Sequence, residues 1–296
     1  MSDINNNILI PFDFNEISMI ALEQSYNLAK VLNHSLVLLY VQEEPGLLKS
    51  LFTDDDFEKR KQRITDSLEQ VANKAREESG LQVSALVREG KIYSEIHQVA
   101  EILQSKFIIM GTNSSFDRDN ESSKVLGANT SRVIRSAPCP VITINSLHHF
   151  DGCRSILLPL DLTQETKQKV NKAIEIARLF GSTIKVMSAL WTKNNPRIMY
   201  QLNIQLNQVK EFIQDAGVRC EAELVESTGN EKSLVPIILR YAKEQGDIDL
   251  IIIMTQQELG LVEFFVSSSA QEIIRMSEIP VMSITPKELG YTSIMF

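Results

Sequence analysis

The sequence predicts an α/β fold: two tandem, doubly wound domains, each on a five-stranded parallel sheet, over residues 1–147 and 153–286. Two observations predict it. Short apolar runs alternate along the chain with segments whose apolar residues recur at helical spacing, the pattern that gives right-handed crossovers and a parallel sheet covered on both faces. The second half also repeats the first. Ile8-Leu-Ile-Pro-Phe-Asp13 aligns with Ile156-Leu-Leu-Pro-Leu-Asp161, and without a gap Leu28 to Leu36 aligns with Ile176 to Ile184. Farther on, Ile108-Ile-Met-Gly-Thr112 matches Ile251-Ile-Ile-Met-Thr255, and Val133 to Val141 matches Ile273 to Val281. At 296 residues the chain is long enough for two cores of ordinary size.

Taken in order, the first strand ends at Asp13, and Ile17, Ile20, Ala21, Leu28 and Leu32 form one helical face behind it. Leu36 to Val41 is a continuous apolar strand, and Glu43 to Thr53 a connector holding Pro45 and Gly46. Phe57, Ile64, Leu68, Val71 and Ala75 make one stripe on a long charged helix that Gly80 ends. Asp54-Asp-Asp56 precedes that helix as charge complementing its dipole, and the basic run Lys59 to Arg63 reads as a solvated face. Val83, Ala85 and Val87 alternate as a strand; Ile92, Ile96, Val99 and Leu103 give the next helix face; Phe107 to Met110 is a strand closed by Gly111. A helix opening at Gly127 must stop before Pro138, and Val141 to Asn145 is the last strand. Ser146 to Cys153 is then a linker. The second half follows the same order, with its final helix expected from Ser267.

Composition excludes several functions. A net charge of −8 argues against a nucleic-acid surface, because phosphate contacts need positive charge to displace counterions. No segment approaches the apolar length of a membrane span, and the N-terminus has neither the basic region nor the apolar core of a signal peptide, so a cytoplasmic protein is expected. Cys139, Cys153 and Cys220 read as structural thiols in a reduced compartment. His148-His-Phe-Asp-Gly-Cys153 gathers ligand-type residues in no standard zinc spacing and reads as a polar connector, so no metal is expected. Neither a P-loop nor a dinucleotide fingerprint occurs.

The chemistry concentrates after Phe107. A buried strand ends at Gly111, a polar loop follows, and a helix opens at Gly127-Ala-Asn-Thr130 with its unpaired N–H groups directed back at the strand's end, which is a place for an anion. This stretch resembles the signature of the universal stress protein family, Gly-x2-Gly-x9-Gly-[Ser/Thr], whose loop wraps the phosphates of ATP. Here the first glycine is Gly111, the second position is Ser114, and the third glycine, Gly127, falls three residues later than the family spacing with Ala128 in place of the hydroxyl.

The resemblance implies the strand order 3-2-1-4-5 of the adenine nucleotide alpha hydrolase-like fold, with a ligand crevice between first and fourth strands. Asp13, with Pro11 and Phe12, would lie near adenine and ribose, and Val41 would pack on the base. Met110, Gly111, Thr112, Ser114 and the helix start Gly127, Ala128, Asn129 and Thr130 would hold the phosphates. Asp117, Asp119 and Glu121 would repel a triphosphate if the loop turned them towards it. In the second half the glycine positions are Met254, Gln257 and Ser267, and only Ser268 keeps the hydroxyl, so no cofactor is expected there and Asp161 reads as a leftover or a capping acceptor.

The function implied is a cytoplasmic stress-response binding module, not an enzyme, that senses ATP or another adenine nucleotide through its first half and presents surfaces to protein partners. One alternative is a scaffold with both sites empty. Another is a slow ATPase or nucleotidyl transferase, although Phe12-Asp-Phe-Asn-Glu16 offers neither a His-x-Gly-His nor a Ser-Gly-Gly-x-Asp-Ser motif after the first strand. In assembly, each fifth strand would be an apolar edge, a hazard unless covered. Val141 to Ile144 is therefore expected antiparallel beside Val281 to Ile284, making an internal pseudo-dimer, with pairing to a second chain as a homodimer the other solution.

Overall fold

The computed structural model describes residues 6–43, 54–112, 126–145, 152–160, 166–190, 196–229, 231, 233–254 and 263–285. The first half runs β1 (Asn7–Pro11), α1 (Glu16–Leu32), β2 (Ser35–Gln42), α2 (Asp54–Ser79), β3 (Val83–Glu89), α3 (Ile92–Ile102), β4 (Phe107–Gly111), α4 (Ala128–Ser136) and β5 (Val141–Ile144). The second repeats it: β6 (Ser155–Pro159), α5 (Thr166–Phe180), β7 (Thr183–Leu190), α6 (Pro196–Asp215), β8 (Cys220–Glu226), α7 (Leu234–Gln245), β9 (Ile248–Met254), α8 (Glu263–Met276) and β10 (Val281–Ile284). All the strands join one sheet in the order β3-β2-β1-β4-β5-β10-β9-β6-β7-β8, so each half has the order 3-2-1-4-5.

The unbroken apolar runs explain the layering. Successive side chains of β1 point to opposite faces, and Ile8, Leu9 and Ile10 are all fully buried because each face carries its own core. Ile8, Ile10, Leu36 and Leu38 pack with Ala21 of α1 and Leu68 of α2, while Leu9, Leu39 and Ile108 pack with Ile96 of α3 and Val133 of α4. Each of the isoleucine, leucine and valine side chains among them contributes about 1.5–3 kcal/mol of burial. Asn15 caps α1, accepting from the Ser18 amide at 2.7 Å, and Asn33 closes the helix in the left-handed region at φ 54°. Gly80 leaves α2 at φ 72°. Asp54-Asp-Asp56 lies inside the first turn of α2 instead of before it.

β5 and β10 pair antiparallel, Thr143 opposite Val281 and Val141 opposite Ser283, so both would-be edges are covered within the chain. Side chains reinforce this seam reciprocally. Asn145, just past β5, donates to the carbonyls of Arg275 (2.7 Å) and Ser277 (3.3 Å) at the end of α8. Thr285, just past β10, donates to the Ile134 carbonyl near the end of α4 at 3.3 Å. Each half thus satisfies helix-end acceptors of the other, groups that a helix cannot pair internally. Among the described residues no helix is long and apolar enough to cross a membrane.

Candidate functional site

The carboxyl ends of β1, β2 and β4 frame a cleft of about 340 Å³, in the range of small-ligand sites, at the point where the strand order reverses. Its lining includes Pro11, Phe12 and Asp13 after β1, Val41 on β2, Met110 and Gly111 on β4, and Asn129 and Thr130 on α4. Phe12 and Met110 are buried and, with Ile96 from α3, supply apolar wall. Asp13 is held by its neighbour: the Asn15 side chain donates to Oδ2 at 2.8 Å and the Asn15 amide to Oδ1 at 3.2 Å. Because Asn15 also caps α1, the carboxylate's direction is tied to the start of that helix.

Between them Phe14 occupies the left-handed region at φ 64°, a strained conformation for a bulky residue. Its ring meets Phe12 edge-on at 5.2 Å and tilts against Tyr40 at 5.5 Å, an aromatic group that holds the turn.

The remaining predicted residues divide. Gly127 is the N-cap of α4 and Ala128 its first residue; the cap has no side chain to bond the first amides and the first turn has no acidic residue, a helix start suited to an anion. Thr112 is buried and turned away, donating to Asn145 Oδ1 at 2.9 Å and lying 3.3 Å from the Ile144 carbonyl. Ser114 and the acidic side chains of its loop lie outside the described residues. Gly111 has a reason of its own: a Cβ there would stand 2.7 Å from Ile17 Cγ2 and 3.1 Å from the Ile17 carbonyl carbon, so α1 would have to shift away from β4.

Several lining residues were not expected, among them Asn15, Glu43, Arg60 and Gln42. Arg60, within the basic run read as a solvated face, lines the cleft, whereas its neighbour Lys61 pairs with Glu89 at 2.9 Å. Gln42, the last residue of β2, is 5% exposed, and its Oε1 has no hydrogen-bond partner among the described residues.

The matched crevice of the second half is built differently. Met254 takes the place of Gly111 and is 2% exposed, packed in the core with Leu158 and Ile174. Lys169, in the position of Ala21, is also 2% exposed and donates from Nζ to the Pro159 carbonyl at 2.6 Å, occupying the strand-end acceptor. α8 starts at Glu263, so Ser267 and Ser268 lie within the helix and not at its opening. Asp161, Gln257 and the residues His148 to Asp151 lie outside the described residues.

Comparison with known proteins agrees with both levels of the architecture. The model of the Universal stress protein family matches residues 5–145 and again 152–284. A universal stress protein of Methanocaldococcus jannaschii is 29% identical over 140 residues, spanning 46% of this chain and 80% of that protein. A universal stress protein structure from Archaeoglobus fulgidus superposes with a TM-score of 0.72 at 17% identity, over 96% of this chain and 97% of the other. A functionally unknown protein of Pseudomonas aeruginosa PAO1 gives 0.66 at 20% identity, over 96% and 94%. At such identities the structural likeness speaks for the fold alone.

Proposed function

We propose, from the premise that this chain belongs to the universal stress protein family and carries its domain twice, that the first half binds an adenine nucleotide such as ATP and the second half binds none. The observation that carries this reading is the asymmetry of the two crevices. The first is an open cleft with Asp13, Val41, Asn129 and Thr130 on its walls; the matched positions of the second include a buried methionine and a lysine tied to the strand end.

The base would lie on the apolar wall near Val41, and the phosphates at the start of α4, where the helix N-terminus and its dipole favour negative charge. Arg60 adds a cation at the rim. Asp13, held by Asn15, reads as a binding residue and not a catalytic one. On this reading the protein is a cytoplasmic module whose nucleotide occupancy is read by protein partners, a second copy of the chain among them.

Isothermal titration of the full chain with ATP is the test. A single nucleotide should bind per chain, and Gly127→Glu should abolish binding by placing a carboxylate at the phosphate end; Gly127 has φ −55°, so the substitution strains no backbone. Unchanged affinity in that variant would overturn the assignment. The second reading, a scaffold with both sites empty, is favoured by Gly111, because packing against Ile17 is sufficient by itself to call for a glycine there. Failure of the parent protein to take up any nucleotide would establish it.

A further inference from the structure

Gln42 presents a cost that the fold does not require. Its side chain is buried at the end of β2, and Oε1 has no hydrogen-bond partner among the described residues, so that oxygen bears a desolvation penalty with no hydrogen bond in return. The duplicated half supplies the control. Leu190 sits at the matched position, also 5% exposed, and the backbone around the two is the same: Gln42 lies opposite Glu89 as Leu190 lies opposite Glu226. The Gly90 amide donates to the Gln42 carbonyl at 3.0 Å, and the Ser227 amide to the Leu190 carbonyl at 2.9 Å. An apolar side chain therefore serves at this point of the fold. The polar one occurs in the half with the open cleft, and it lines that cleft.

We propose that Gln42 is the residue that reads the base: its side-chain amide pairs with the edge of an adenine, accepting from the 6-amino group and donating to N7. The inference rests on the adenine-nucleotide reading of this cleft. A carboxamide carries an acceptor and a donor side by side, the complement of that adenine edge. Guanine offers only acceptors, O6 and N7, and would leave the amide oxygen facing an oxygen. Phe12, Val41 and Met110 supply apolar surface for the ring's face but cannot tell one purine from another; a buried amide that must be satisfied can.

The test removes the amide from the protein and the amino group from the ligand in turn. ATP and purine riboside triphosphate, which lacks only the 6-amino group, are titrated calorimetrically into the parent protein and into Gln42→Leu, the side chain of the second half. The parent should prefer ATP by on the order of tenfold or more, and Gln42→Leu should bind the two alike, with ATP weakened to the level of the analogue. The ligand-free variant should melt no lower than the parent, since it removes an unsatisfied buried group, and Gln42→Met, similar in length, should bind as Gln42→Leu does. A parent that binds both nucleotides equally, or a variant that keeps the preference, overturns the role of Gln42 and leaves the nucleotide reading standing. A parent that binds neither overturns both.

Discussion

Asn145→Leu should uncouple the two halves. The Asn145 side chain accepts from Thr112 Oγ1 at 2.9 Å and donates to the carbonyls of Arg275 at 2.7 Å and Ser277 at 3.3 Å, so it ties β4, the strand carrying Gly111, to the end of α8 in the other half. Leucine is close in volume but makes none of these bonds. Thr112 is 3% exposed and keeps the Ile144 carbonyl within 3.3 Å, so its hydroxyl is not wholly orphaned. The α8 carbonyls are the larger loss, because a polar group left unsatisfied costs about 1–3 kcal/mol when buried and less where water reaches it. We expect about 2–4 kcal/mol of destabilisation at the seam, most of it from those two acceptors.

The chain has a single tryptophan, Trp191, in the second half, so its fluorescence reports that half while circular dichroism reports both. In urea the two signals should coincide for the parent and separate for Asn145→Leu, the fluorescence transition moving to lower denaturant. Thr143→Val, which removes one 3.2 Å bond to the Val281 carbonyl, should cost about 1 kcal/mol or less and leave the signals together. Coincident, unshifted transitions in Asn145→Leu would show that the seam does not depend on this residue.

Further outcomes follow from single sites. Gly111→Ala should destabilise by about 1–3 kcal/mol with or without nucleotide, because its Cβ would overlap Ile17; thermal melts that match the parent would refute the packing role. Glu231 accepts from the Thr228 and Ser227 hydroxyls and from Arg240, and these bonds, the Thr228 hydroxyl foremost, hold its carboxyl down to about 2. A depressed carboxylate stabilises above its ordinary range and is lost as pH falls towards 2, so acid unfolding of Glu231→Gln should be flatter than the parent's over that window. Burial pushes the thiol of Cys139 up to about 12 and those of Cys153 and Cys220 to about 11, so a thiol reagent at pH 8 should label the protein only after unfolding; fast native labelling would contradict this.

Much of the fold could be read from the chain because both of its signals are local: the strand and helix periods, and a repeat that aligns position by position. The β5–β10 pairing was legible for a related reason, since an apolar edge needs a cover and the second copy supplies one. The opening of α8 was not. Ser267-Ser-Ser269 looks like a run of capping residues, but serine is tolerated inside a helix and the helix begins at Glu263. Arg60 was missed because the stripe on α2 sets which face is buried, while the point at which that helix crosses the strand ends depends on the connector before it. Gly111 lines the cleft as expected, but its packing role was not legible because its partner, Ile17, lies far away in sequence. Gln42 carried a readable signal, its mismatch with Leu190, but its meaning needed the cleft. Lys169 against Ala21 is the same kind of signal in the other half.

On the proposed function, one half holds an adenine nucleotide and the other does not. Photolabelling of the full chain with an azido-adenine analogue of ATP, followed by peptide mapping, tests it most directly. Label is predicted on first-half peptides bearing Val41 or Thr130, suppressed by excess ATP and absent from Gly127→Glu, with none on peptides bearing Lys169 or Met254. Competable label on both halves, or on the second alone, would contradict it.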